Sequence, residues 1–132
     1  IRVLLQQLSM DKVRPNLPES LVEGNLKEEE LFQNMVLRPV IKMQHDILIL
    51  RVQSHFLSKK VVFHMLDKKK RINAIESAFQ NDNQFKKEIQ GMILGQLSKE
   101  EFLSYLKSER SMNKRIIQMV RNRMLDSILE LS

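Results

Sequence analysis

A chain of 132 residues is long enough for one domain with its own core, and 42% hydrophobic with 29% charged residues is an ordinary composition for a folded protein. The absence of cysteine from these residues excludes disulfides and cysteine-bound metals, and three glycines with three prolines leave little material for phosphate loops or strand-and-turn folds. The formal net charge of +6 raises the question of a nucleic-acid partner. We predict an all-α fold, a single-domain helical bundle of five to seven helices.

Residues 1–26 are predicted to form an N-terminal arm and linker, and residues 27–132 the helical bundle. Pro15, Pro18 and Gly24 interrupt a regular helix in the first part. The apolar start of the chain is too short for the core of a signal peptide or for a membrane span, so no membrane partner is predicted. A cytoplasmic location is the default expectation.

The most apolar stretch, residues 40–57, is predicted to be the central and mostly buried helix. Residues 47–50 are four consecutive apolar residues, which places apolar groups all round a helix. Just before it, Pro39 follows a helical pattern that starts near Lys27. That helix should either end near Leu37 and restart at Pro39, or kink there. We prefer the restart, because proline is favoured at a first helical position.

Helix starts are predicted at several capping residues in the second half of the chain. Residues 61–66 favour a short helix, Asp67 and Asp82 can each cap a helix, and Ser98 with Glu101 matches a capping box. Ser111 is predicted to cap the final helix. That helix carries an apolar line at near-heptad spacing, which suits a partner helix: Ile117, Val120, Met124, Ile128 and Leu131.

A polar set on one side of the predicted central helix is the strongest chemical candidate: Gln44, Arg51 and His55. A buried guanidinium needs a partner, and a ligand carboxylate or phosphate could supply it. The alternative, which we favour, is that Arg51 pairs with an acid of another helix, such as Glu76, Glu88 or Glu101. No catalytic residue, cofactor or metal site is predicted, since the histidines lack a metal-ligand spacing.

Two basic clusters are candidates for nonspecific nucleic-acid binding. Their members are Lys68, Lys69, Lys70, Arg71, Lys114, Arg115, Arg121 and Arg123. They lack interleaved aromatic residues on which bases could stack. A solvated basic surface is therefore favoured over nucleic-acid binding, although both remain open.

Gly91 and Gly95 lie four residues apart, a spacing that permits another helix to approach closely. That second helix could belong to this chain or to a second copy, and Gly95 could instead end its own helix. Together with the final helix and the opposed acidic and basic segments, this pair favours a homodimer.

Distributed motifs over residues 31–125 resemble those of short, uncharacterised helical proteins of flavobacteria and their relatives. The motifs are residues 37–39 (Leu-Arg-Pro), 43–46 (Met-Gln-His-Asp), 91–96 (Gly-Met-Ile-Leu-Gly-Gln), 101–102, 105–106, 113–115 and 119–120. Some members carry a "glyoxalase" label, which implies metal-dependent chemistry in a βαβββ module. This sequence offers neither the strands nor the ligands, so that activity is not transferred, and the group supplies no functional residue.

We therefore expect a non-enzymatic helical protein that acts through helix-mediated association. The two alternatives are an anionic-ligand pocket or enzyme around Arg51 and His55, and nonspecific nucleic-acid binding through the basic helix faces.

Overall fold

The computed structural model describes residues 13–14 and 28–132, of which 83% are helical and none is in a strand. The helices are α1 (Glu28–Phe32), continued by a π turn (Gln33–Leu37) into α2 (Arg38–Met43), then α3 (His45–Ser58), a 3-10 turn (Phe63–Met65), α4 (Lys68–Asn81), α5 (Asn83–Leu94), α6 (Lys99–Leu106), α7 (Glu109–Asp126) and α8 (Ile128–Leu131). With α1, the π turn and α2 counted as one continuous helix, these residues hold seven helices. The predicted all-α, single-domain bundle is confirmed.

The first helix does not end at Leu37 as the sequence predicted. It runs through Pro39 without a break, because the π turn before the proline widens the helix, and the N–H of Arg38 donates to the carbonyl of Gln33, five residues back. A proline lacks an N–H and its ring crowds the preceding turn. A π turn relieves that crowding, so the helix continues and buries Pro39.

The helix predicted over residues 40–57 is divided at Gln44, where φ is −89° and ψ is 7°. The buried Gln44 amide donates through Nε2 to the carbonyl of Met92 at 3.2 Å, which ties this break to the end of α5. The prediction of a mostly buried helix is also wrong for one face of α3. Leu50 and Leu57 are 64% and 76% exposed.

The centre of the bundle is occupied by α7, which packs against α2, α4, α5, α6 and α8. Its buried residues follow one another at every fourth position: Met112, Ile116, Val120 and Met124. Such a line lies on one face of a helix. The predicted final helix is shorter than expected because it ends at Asp126. Its apolar line packs inside the bundle, so it is not the partner-binding surface that the sequence suggested.

Three of the predicted caps are confirmed. Asp67 Oδ1 accepts from the N–H of Lys70 at 2.8 Å, Asp82 Oδ1 accepts from that of Phe85 at 3.0 Å, and Ser98 with Glu101 forms a reciprocal capping box.

The fourth predicted cap is wrong. Helix α7 starts at Glu109, two residues before Ser111. An earlier start places the carboxylate of Glu109 in the first turn, where the helix dipole favours it.

Of the predicted arm, only Val13 and Arg14 lie within the described residues. Arg14 donates to Glu101 Oε2 and to the carbonyl of Gln96, both at 2.6 Å, so it fastens this point of the chain to the start of α6. Burial alone would raise the pKa of the Glu101 carboxyl, but the hydrogen bonds from Ser98 and Arg14 outweigh it and lower that pKa. The division between arm and bundle near residue 26 stays a prediction.

Candidate functional site

The predicted polar set of α3 does not converge on one site. Arg51 Nη1 lies 3.5 Å from Glu88 Oε2, and its Nη2 donates to Ser54 Oγ at 3.1 Å. Glu88 is one of the acids that the sequence offered as a structural partner. Gln44 is buried at the α2–α3 break with its amide on the carbonyl of Met92, so it takes no part in that ion pair.

His55 is held by an aromatic ring and a carboxylate. Its ring lies 4.2 Å from the ring of Phe85, centroid to centroid, and its Nε2 lies 3.7 Å from Asp82 Oδ2. Burial lowers the pKa of His55, and the nearby charge of Asp82 only partly offsets this. His55 lines a shallow pocket of about 470 Å³ that Arg51 does not reach. Arg51 and His55 therefore do not line one cavity in which both could bind the same anion.

Among the predicted nucleic-acid residues, Arg71 is engaged in holding the fold together. It donates to the carbonyls of Leu66 and His64 at 2.9 Å each and to Ser132 Oγ at 3.0 Å, and its guanidinium lies 5.5 Å from the centre of the Phe63 ring. These contacts join the 3-10 turn to the C-terminal end of the described chain. Its neighbours Lys68, Lys69 and Lys70 are exposed in the first turn of α4.

The four basic candidates of α7 lie in two separate places. Arg115 and Arg123 line a polar cleft of about 510 Å³ next to α2 and α3, and Lys114 and Arg121 line a groove beside α4 and α5. They do not form one basic stripe. Residues one or two positions apart on a helix, such as Lys114 and Arg115, lie on different faces.

In the polar cleft, His45 connects α7 to α8. Arg123 Nε donates to His45 Nδ1 at 2.8 Å, so Nδ1 carries no proton and the ring N–H is at Nε2. Nε2 in turn donates to Glu130 Oε2 at 2.7 Å. Both ring nitrogens are occupied. A general base needs a free nitrogen within reach of substrate, so this arrangement is a structural bridge.

The described residues contain no group of three or more side chains that could hold a metal ion. Nor does any helix in residues 28–132 combine the length and apolarity needed to cross a bilayer.

The surface that stands out is one face of α3. Ile47 is half-buried, and Leu50, Ser54 and Leu57 are exposed. These four residues, which we call the outer α3 face, lie opposite the buried ones, Leu48, Ile49, Val52 and Phe56. Leu50 and Leu57 are seven residues apart and therefore share one line along the helix.

Opposite charges flank the outer α3 face at its two ends. Asp46 lies in the first turn of α3, and Lys60 follows its last turn with φ of 60°. That left-handed conformation ends the helix and is uncommon for a residue other than glycine. Both side chains are exposed.

Sequence reasoning missed this surface although residues 47–50 carried the signal for it. Four consecutive apolar residues cannot all face one core, so at least one of them has to lie on the far side of its helix. The glycine pair singled out instead is not a packing site within the described chain. A Cβ placed on Gly91 would meet no atom within 4 Å, and Gly95 caps the C-terminal end of α5, as one of the two alternatives predicted.

No protein-family model matches this chain, and no curated protein or solved structure is significantly similar to it. The resemblance to flavobacterial helical proteins therefore stays a prediction, and the proposals below depend on the geometry of the chain itself.

Proposed function

We propose that this is a non-enzymatic helical protein that acts through self-association, in which two copies pair their outer α3 faces in antiparallel orientation. The observation that carries the proposal is the exposure of Leu50 and Leu57 on one line of α3. Leucine side chains at this spacing on the surface of a helix gain free energy when a second helix covers them.

The outer α3 face is complementary to itself. A two-fold axis passing between positions 53 and 54 places Leu50 of one copy opposite Leu57 of the other. The symmetry repeats this contact, so the interface contains two Leu50–Leu57 pairs. Near the axis lies Ser54, whose small side chain lets the two helices approach. The two leucines of the line then have an apolar partner, whereas Ile47 lies opposite position 60.

Charge selects the antiparallel orientation. With the same axis, Asp46 of one copy lies at nearly the same level along the helix axis as Lys60 of the other. A parallel pair would place Asp46 beside Asp46 and Lys60 beside Lys60, and like charges at close range repel. Two opposite-charge pairs at the rim favour the arrangement that also matches the leucines.

A single helix from each copy buries less than the roughly 1,200–2,000 Å² of a standard protein complex. We therefore expect a reversible dimer with a dissociation constant of about micromolar order. Such an affinity makes the oligomeric state depend on concentration.

Sedimentation velocity over a range of micromolar concentrations tests the proposal. The native chain should shift from monomer to dimer as concentration rises, whereas Leu50→Glu and Leu57→Glu should remain monomeric because a carboxylate would be buried in the interface. Leu103→Glu, at a residue of α6 that is 54% exposed, is the matched control and should dimerise like the native chain. A native chain that is monomeric throughout, or a control that also dissociates, would overturn the proposal.

A charge exchange tests the orientation. Asp46→Lys and Lys60→Glu should each weaken the dimer through like-charge contacts, and the double variant should restore it because both rim pairs are re-formed with reversed sign. Additive weakening in the double variant would exclude the antiparallel pairing.

The absence of cysteine from these residues permits a direct distance probe. Under mild oxidation Ser54→Cys should form an intermolecular disulfide, since the two copies of position 54 are separated by only about 1.5 Å along the helix axis. Ser58→Cys is the control on the same helix, because its two copies are about 13 Å apart along that axis. Efficient cross-linking of the control alone would contradict the proposed register.

A further inference from the structure

A second surface of the molecule lies where α4, α5 and α7 meet. An open groove of about 800 Å³ lies between α4, α5 and α7, and this volume is within the size range of small-ligand sites. Its apolar part is formed by Phe79, Ile117 and Leu125, which are buried or partly buried. None of these residues belongs to the outer α3 face, so the groove is independent of the proposed dimer.

Arg121 lines this groove with an incompletely satisfied guanidinium. Its Nε is buried and has no acceptor, and Nη2 makes only a long contact of 3.4 Å to Asn122 Oδ1. Among the described residues no carboxylate lies within 4.0 Å of it. The Nη donors of Arg121 thus have no acceptor better than Asn122 Oδ1 among the described residues, and because Arg121 lines the groove they are available to an acceptor supplied by a ligand.

The charge around Arg121 is that of an anion site. Lys114 and Lys86 line the same groove, and Glu76 is the acid among the described lining residues, so three positive charges meet one negative charge. Lys86 uses one donor on the carbonyl of Gln80 at 3.2 Å and keeps its charge available. The groove thus combines a cationic rim with an apolar floor.

We propose that the groove binds an amphipathic organic anion, with a carboxylate or phosphate head on an aliphatic chain. The head accepts paired hydrogen bonds from Arg121 and is neutralised further by Lys114 and Lys86. The aliphatic chain lies along the floor of Phe79, Ile117 and Leu125 and removes their remaining apolar surface from water. The exposed lining has no aromatic face on which a nucleotide base could stack, which disfavours nucleic acid as the occupant.

Titration of the full chain, followed by two-dimensional NMR, tests this proposal with four probes: decanoate, decyl phosphate, acetate and inorganic phosphate. Binding of decanoate, decyl phosphate or both, with shifts centred on the groove and much weaker binding of the two short anions, supports the proposal. The two long probes distinguish the carboxylate head from the phosphate head. Equal binding of the short anions would overturn the role of the aliphatic chain, and no binding of either long probe would overturn the site.

Two substitutions that move affinity in opposite directions separate the site from general attraction to a basic protein. Arg121→Gln should weaken the long probe by about tenfold or more, because a charge-assisted pair is lost. Glu76→Gln should strengthen it, because the competing negative charge is removed. The control is Arg110→Gln, an exposed arginine of the same helix outside the groove, which should leave affinity unchanged. Equal weakening by Arg110→Gln and Arg121→Gln would mean that net charge alone attracts the anion.

Discussion

Helices α3 and α7 contrast in how their apolar residues are used. The sequence of α3 is the more apolar, yet it leaves Leu50 and Leu57 in solvent. The sequence of α7 is rich in arginine and asparagine, yet it lies against five other helices. The position of a helix in this bundle thus follows from the shape of its apolar surface more than from its amount.

The physical reason lies in the width of the two apolar surfaces. On α7 the buried side chains form a narrow line from Met112 to Met124, which neighbouring helices can cover while cations remain in the grooves between them. On α3 the apolar residues spread round the whole circumference. The described residues cover only the side that carries Leu48, Val52 and Phe56, so they leave the other side available to another molecule.

The largest expected effect is a difference in unfolding free energy between a substitution in the buried line of α7 and one on the outer α3 face. Ile116→Ala, at a fully buried residue, should lower the free energy of unfolding by about 2–5 kcal/mol because it leaves a cavity. Leu50→Ala should change it by no more than about 0.5 kcal/mol in the monomer.

Urea unfolding at low protein concentration measures both values, since dilution keeps the chain monomeric. If Leu50→Ala is as damaging as Ile116→Ala under these conditions, Leu50 packs within its own chain and the contrast between the two helices does not hold.

A smaller effect on stability is expected for the Arg123–His45 hydrogen bond, which joins α7 to α3. Arg123→Gln removes the donor to His45 Nδ1 and leaves that partly buried contact incomplete. We expect a loss of about 1–3 kcal/mol in unfolding free energy. Arg110→Gln, on the exposed side of α7, is the control and should stay within about 0.5 kcal/mol of the native value. Equal effects of the two variants would show that the bridge contributes nothing.

The smallest expected effect is a pH dependence of the unfolding free energy that comes from His55 of α3. Burial lowers the pKa of His55 in the folded state below its ordinary value of 6.5, so between these two values the unfolded chain binds more protons than the folded chain. Stability should therefore fall as pH is lowered through 6.5 toward the folded-state pKa. The groups that act on His55 are Asp82, Lys59, Arg51 and Glu88, in addition to the Phe85 ring.

Chemical unfolding at a series of pH values, for the native chain and for His55→Gln, measures this slope. The variant should lose stability less steeply over the same range. The backbone N–H of Phe85 lowers the pKa of Asp82, and the stability this gives is lost only in acid near and below 3.8, so it does not obscure the His55 range. An unchanged slope in the variant would assign the dependence to other groups.

Local signals in the sequence were sufficient for several features. Asp67, Asp82 and the Ser98–Glu101 pair each act on a backbone N–H three residues away, so the residues themselves determine the helix starts. The Arg51–Glu88 pair, which joins two helices, was anticipated only as one of three structural alternatives.

Features that depend on distant neighbours were predicted less well. The division at Gln44 follows from its hydrogen bond to Met92, forty-eight residues away. Arg71 resembled a surface cation in sequence, but its acceptors lie on the turn before α4 and at Ser132. The groove at Arg121 exists only because α4 and α5 meet α7 there.

The sequence by itself determined that this chain folds into helices and where several of them begin, because helix formation and capping involve residues within four positions of one another. Only the tertiary structure decided which apolar faces are covered, and so left Leu50 and Leu57 exposed and Arg121 beside an open groove. Burial depends on which helices become neighbours, and that is settled by the packing of the whole bundle.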